Sequence, residues 1–190
     1  MKLKGILPFA RILLEQALKP GDTAVDATAG NGHDSCYLAG LVGTTGHVYS
    51  FDVQEQAIES SRERLRSQDL LDRVSLHQTG HEHAVDHIQP AHVSSLKAAI
   101  FNLGYLPGGD KQITTQAQTT IKAITQLFEV MPSEAVIVLV IYHGHPEGAV
   151  EKDDVLHFVE QLPQDKAHVL RYGFINQKNA PPFIVAIEKR

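Results

Sequence analysis

Short apolar runs and amphipathic stretches at helical spacing alternate along the chain from end to end. Phe9, Ile12, Leu13 and Ala17 form one stripe of a helix over 8–18, which Pro20-Gly21 closes. Residues 23–28 read as a buried strand running into the glycine-rich turn Ala29-Gly30-Asn31-Gly32, with a helix to about residue 41 beyond it. A second strand over 47–53 precedes a helix over 54–68 that turns Ala57, Ile58, Ser61 and Leu65 inward. Strands over 74–78 and 98–103 follow. Ala117, Ile121, Ile124 and Phe128 then recur at helical spacing within 114–130. The run 135–142 is uniformly apolar and rich in β-branched residues, as a strand covered on both faces must be. A polar helix is expected near 149–161. Two last strands, 168–175 and 183–188, are joined by a loop too short for a crossover helix and should pair antiparallel.

Alternating strands and helices with apolar strands imply an α/β architecture, a mainly parallel sheet sandwiched by helices. No repeat, linker or low-complexity tract divides the 190 residues, so 1–190 is read as one domain. The longest apolar run is eight residues, far below the roughly 18 needed to span a bilayer. Arg11 and Glu15 interrupt the N-terminal apolar stretch that a signal peptide would need. With a single cysteine, Cys36, no intramolecular disulfide or cysteine zinc cage forms. A soluble, cytoplasmic protein is expected, without a membrane partner.

In a doubly wound sheet, ligands bind outside the C-terminal strand ends beside the first strand, where the glycine turn falls. Gly30 and Gly32 permit a tight turn and close backbone approach at a helix N-terminus. Asp52 ends the second strand, 20 residues after Gly32, where a carboxylate can accept both hydroxyl hydrogens of a ribose. A dinucleotide fingerprint wants glycine or alanine three residues beyond Gly32, and Ser35 stands there. Asp26, ending the first strand, would repel a pyrophosphate and suits the ammonium of an amino-acid-bearing cofactor.

The run Asp26-x-Thr28-x-Gly30-x-Gly32 resembles the acidic-x-Gly-x-Gly-x-Gly motif of class I S-adenosylmethionine-dependent methyltransferases, with Thr28 in place of the first glycine. The Thr28 hydroxyl would bind the cofactor carboxylate. The resemblance implies a Rossmann-like fold with a seven-stranded, mainly parallel sheet, an antiparallel C-terminal strand pair and helices on both faces. Residues 102–105, Asn-Leu-Gly-Tyr, resemble the Asn-Pro-Pro-Tyr motif of amino-group methyltransferases at both ends, with the prolines replaced. Asn102 Oδ1 and the Leu103 carbonyl could accept the N–H groups of an acceptor amine, and Tyr105 could stack on a planar base.

Four segments together are similar to a small bacterial family long labelled rRNA methylases, which includes a tRNA 5-aminomethyl-2-thiouridine methyltransferase. They are Asp-Ala-Thr-Ala-Gly-Asn-Gly-His-Asp (26–34), Phe-Asp-Val-Gln (51–54), the run from Asn102 to Lys111, and Tyr-His-Gly-His-Pro-Glu-Gly (142–148). Many members read closer to Tyr-Pro-Gly-His at the last. The resemblance implies S-adenosylmethionine as cofactor and the aminomethyl nitrogen of a tRNA wobble uridine, in the anticodon loop, as methyl acceptor. Asp26, Thr28, Gly30, Asn31, Gly32, His33, Asp34, Asp52, Gln54, His81, Glu82 and Asn102 become cofactor-binding candidates. Asn102, Tyr105, Tyr142, His145 and Asp110 become catalytic candidates, with His145, Tyr142 and Asp110 as proton handlers in that order. Leu103, Gly104, Lys111 and Arg11 are candidates for substrate contact.

With 17 basic and 22 acidic residues the net charge is -5, which argues against a broad polyanion-binding surface but leaves room for a local basic patch. Few phosphate contacts suffice for an anticodon loop, and a homodimer would join two modest patches. Eleven histidines raise the question of a metal. Neither His81/His83 with Glu82 and His87, nor His143/His145 with Glu147, has a third ligand at a recognisable spacing, so no metal is expected. The remaining histidines are read as polar surface, and Arg62, Arg64 and Arg66, interleaved with Glu59 and Glu63, as a solvated face. Methylation of rRNA or of a small molecule, a nucleotide-binding oxidoreductase, and a non-catalytic cofactor-binding module remain the alternatives.

Overall fold

The computed structural model describes residues 2–106, 108 and 113–190. Its strands are β1 (Thr23–Asp26), β2 (His47–Asp52), β3 (Val74–Gln78), β4 (Leu96–Leu103), β5 (Val136–Ile141), β6 (Ala167–Tyr172) and β7 (Phe183–Lys189). The α-helices are α1 (Ile6–Ala17), α2 (His33–Val42), α3 (Glu55–Ser67), α4 (Ala84–His87), α5 (Ala117–Val130) and α6 (Pro146–Glu160). The strands form one sheet in the order β3-β2-β1-β4-β5-β7-β6. Pairing is parallel from β3 through β5, and antiparallel where β7 joins β5 and β6. This is the expected Rossmann-like methyltransferase sheet, with the last strand inserted beside β5 and the preceding one pushed to the edge.

Alternation along each strand assigns the two faces. Ala24, Val48, Ala98, Ile100, Val138 and Val140 point to α1, α2 and α3, where Leu14, Leu38, Val42 and Leu65 are fully buried. Val25, Phe51, Phe101, Leu139 and Ile141 point to the other face, against Ala123, Ile124 and Leu127 of α5 and Val155 and Val159 of α6. Cys36 lies in the first of these layers as a small buried helix residue. Among the described residues no helix is long and apolar enough to cross a membrane.

Two expectations need correction. The helix expected over 114–130 begins only at Ala117, because Thr114 pairs with Tyr105 in an isolated antiparallel bridge and Thr115 bonds back to Gly104. The histidines are not all surface residues. His47, Tyr49 and Phe51 share one face of β2, and His77 of β3, His87 and His92 pack their rings against them. His92 Nδ1 lies 2.8 Å from Tyr49 Oη and His47 Nε2 lies 2.8 Å from Ser75 Oγ.

Candidate active site

Two chambers open along the C-terminal ends of the parallel strands, and Thr28, Gly30, Asn102, Gly104 and Tyr105 line both. The first, about 350 Å3, runs over Phe51, Asp52, Gln54, Gly80, His81 and Glu82. The second, about 740 Å3, is bounded by Arg11, Asn31, His33, Asp34, Tyr142 and His145. Among the described residues the first chamber holds two carboxylates, Asp52 and Glu82, and no lysine or arginine. Such a lining repels a pyrophosphate and accepts a neutral or cationic ligand.

The turn between β1 and α2 is shaped by its neighbours. Gly30 and Gly32 have φ of 51° and 77°, in the left-handed region where a side chain is disfavoured. A Cβ on Gly32 would stand 2.8 Å from Ser61 Cα, so only glycine lets α3 pack on the turn. α3 then fastens it: Ser61 Oγ donates to the Gly30 carbonyl at 3.0 Å, and Arg64 Nε to that of Asn31 at 2.6 Å. Arg62 instead pairs with Glu59, as a solvated face would. Asp52 accepts the N–H groups of Gly30 and Gln54, each at 2.9 Å, which orients its carboxylate along the first chamber.

Asp26 lines neither chamber, contrary to the role expected of it. Its side chain is fully buried and accepts hydrogen bonds from Thr28 N–H (3.2 Å) and Ser35 Oγ (2.6 Å). Burial, and secondarily the charge of Asp34, push its carboxyl up to about 7. Ser35 therefore stands in place of glycine because it supplies the hydrogen bond that holds Asp26 inside the turn. Asp34, eight residues on, faces the second chamber instead.

Asn102, at the end of β4, joins the two chambers. Its N–H donates to Thr28 Oγ1 at 2.7 Å, and its Nδ2 donates to Asp34 Oδ2 at 2.7 Å. An ionised Asp34 only accepts, so the amide is turned with Oδ1 as its acceptor end. Leu103 is not at the site: it is 1 % exposed, and its carbonyl accepts Tyr142 N–H at 3.0 Å within the β4–β5 pairing. Gly104 remains on the cavity wall. The ring of His145 stands edge-on to Tyr105 at 5.4 Å between centroids, with its Nε2 3.3 Å from Thr114 Oγ1. Burial and the charge of Asp34 raise the Tyr142 phenol above its ordinary value. His81, buried beside Phe101, has its Nδ1 3.2 Å from the Ala27 carbonyl, and burial lowers its basicity. Asp110 and Lys111 lie outside the described residues.

No motif pointed to Thr115, Gln116 and Thr119 on the wall of the first chamber, or to Glu151 bonded to Thr115. They follow no motif spacing; the pairing of 105 with 114 brings the first three there, and α6 carries Glu151 to Thr115 and Thr120. Among the described residues no group of three or more histidine, cysteine or acidic side chains could hold a metal.

A parallel sheet with an antiparallel C-terminal pair, and a glycine turn answered by an acid at the end of β2, define a class I S-adenosylmethionine-dependent methyltransferase. The chain belongs to the family described as "Putative rRNA methylase", which matches residues 48–188. A crystallised Clostridium thermocellum protein of the same description is 42% identical, with a TM-score of 0.96 over 100% of both chains. A Streptococcus mutans methyltransferase homologue solved in complex with S-adenosylhomocysteine is 38% identical, with a TM-score of 0.89 over 99% of each chain. The chloroplastic tRNA (mnm(5)s(2)U34)-methyltransferase of Arabidopsis thaliana is 32% identical across 98% of this chain and 70% of its own length.

Proposed function

We propose that the protein methylates the exocyclic amino nitrogen of a 5-aminomethyl group on the tRNA wobble uridine, with or without its 2-thio group. The observation that carries this reading is Asn102: its Nδ2 is committed to Asp34, its Oδ1 is left as acceptor, and it stands where the two chambers meet. An amide oxygen in that place takes an N–H and aims the nitrogen lone pair. The activity named for the Arabidopsis relative is of the same kind.

The residues fit the cofactor. Asp52 would take the ribose hydroxyls, Gln54, His81 and Glu82 would border the adenine, and the turn from Thr28 through Asp34 would hold the amino-acid end. The Thr28 hydroxyl accepts from Asn102 N–H, so its own hydrogen is directed elsewhere, as binding a carboxylate requires. Asp34 takes over the ammonium role that Asp26 is too buried to fill. S-adenosylmethionine supplies an electrophilic methyl on a sulfonium centre.

The chain's own part is to present a neutral amine in line with that methyl and to receive a proton. Tyr142 holds its proton more tightly than a free phenol and serves as a stacking wall with Tyr105. His145, whose ring borders the same chamber, is the proton acceptor. Arg11 would contact a phosphate at the mouth of the second chamber.

The test is methyl transfer from labelled S-adenosylmethionine to bulk tRNA from cells lacking the gene, read by nucleoside mass spectrometry. One added methyl on 5-aminomethyluridine or its 2-thio form is expected. Label in ribosomal RNA or a metabolite, with none in tRNA, would overturn the wobble-uridine assignment and leave the methyltransferase class intact.

A further inference from the structure

Glu151 lies on α6, is 3 % exposed and lines neither chamber. Two hydroxyls hold it: Thr115 Oγ1 stands 2.5 Å from Oε2 and Thr120 Oγ1 stands 2.7 Å from Oε1. Thr115 clasps Gly104 twice, accepting its N–H at 2.9 Å and donating its own N–H to the Gly104 carbonyl at 3.0 Å. On the far side Thr120 Oγ1 is 3.4 Å from His81 Nε2, whose ring reaches the Ala27 carbonyl.

Counting hydrogens gives the chain a direction. The Ala27 carbonyl only accepts, so His81 Nδ1 carries the hydrogen and a neutral ring offers Nε2 as acceptor. The single hydrogen of Thr120 is the one within reach. Once Thr120 donates to His81, its oxygen accepts from Oε1, and Glu151 is the protonated acid. Thr115 donates to Oε2. Each contact from Gly104 to Ala27 then uses one hydrogen. An ionised Glu151 taking both hydroxyl hydrogens would be a buried carboxylate without a lysine or arginine partner among the described residues, and would take from His81 Nε2 the Thr120 hydrogen. Burial raises the Glu151 carboxyl, against the Thr115 and Thr120 hydroxyls that lower it, and burial lowers His81.

We infer that Glu151, as a neutral carboxyl, is a positioning residue for methyl transfer. Through Thr115 it fixes Gly104 and with it the Asn102–Tyr105 turn. Through Thr120 and His81 it ties that turn to the wall of the first chamber. The inference rests on the proposal that this turn receives the acceptor.

The experiment compares wild type with Glu151→Ala, Thr115→Val and Glu151→Gln, using labelled S-adenosylmethionine and undermethylated tRNA. S-adenosylhomocysteine binding is measured alongside by calorimetry. Glu151→Ala and Thr115→Val should lower kcat about 10- to 100-fold while the tRNA KM and the S-adenosylhomocysteine Kd stay within about threefold. Glu151→Gln, whose amide places an N–H donor and a carbonyl acceptor where the neutral acid has its O–H and carbonyl, should restore kcat to within about threefold of wild type. Undiminished kcat in the alanine and valine variants would overturn the inference, as would a loss carried by Kd or KM. A glutamine variant as impaired as alanine would overturn it too, since that would mean an ionised carboxylate. Should Glu151→Ala fail to fold, the valine and glutamine variants decide. Asn102→Ala is assayed in parallel: full turnover there refutes the acceptor site itself, a failure distinct from that of Glu151.

Discussion

Asp26, Asp34 and Asp52 surround one glycine turn, and each meets a different environment. Asp52 is held by two backbone N–H groups at the edge of a chamber, Asp34 by an amide, and Asp26 by a buried hydroxyl and one N–H. Burial makes ionised Asp26 costly, and its folded value of about 7 lies above the ordinary 3.8. The folded state therefore holds that proton more tightly than the unfolded chain does. The resulting stabilisation is full below about pH 4 and is lost as pH rises through about 7. Asp26→Asn is uncharged throughout, so its melting temperature should gain on wild type between pH 5 and pH 8 when both are followed by calorimetry. A difference that stays flat over that range would show that Asp26 ionises without cost.

At the scale of elements, the β2–β3 edge is built from stacked rings. Burial, with His92 beside His47 and His87 beside His77, lowers the affinity of His47 and His77 for protons. His77 Nε2 is buried without a hydrogen-bond partner among the described residues. Both bind a proton less tightly in the fold than free histidine, which protonates near 6.5, so stability is kept above that pH and lost as pH falls below it. His77→Phe keeps the ring stacked on Phe51, 5.0 Å away between centroids, and removes the proton site. The fall in melting temperature between pH 7.5 and 5.5 should accordingly be smaller in His77→Phe than in wild type. An equal fall would place the acid sensitivity elsewhere.

For the whole molecule, the net charge is -5, so a tRNA substrate needs local cationic contacts. The second chamber has Arg11 and His33 on its wall, and both also border a neighbouring hollow of about 390 Å3 with Arg64. Arg11 lies over the Tyr37 ring at 4.5 Å, which holds the guanidinium in place beside both cavities. With tRNA as substrate, Arg11→Ala should weaken binding and reduce the slope of log affinity against log salt by about 0.7 to 0.9. Affinity for S-adenosylhomocysteine should be unaltered. Fluorescence anisotropy across a salt series measures the slope, and an unchanged slope would remove Arg11 from the phosphate path.

Period and spacing in the sequence determined the order of elements. The uniform apolar run at β5 could only be a strand covered on both faces, and the distance from Gly32 to Asp52 placed an acid beside the glycine turn. The antiparallel pairing of the last strands followed from their short connection. Tertiary structure decided which polar atoms face the ligand, because periodicity carries no information about burial behind a turn. It turned Asp26 inward and Asp34 outward, took the Leu103 carbonyl into the sheet, and brought Thr115 and Glu151 behind Gly104 from distant positions in the chain. A buried polar group must find its partner wherever the packing leaves one, and that partner is set by the assembled layers, not by the neighbouring sequence.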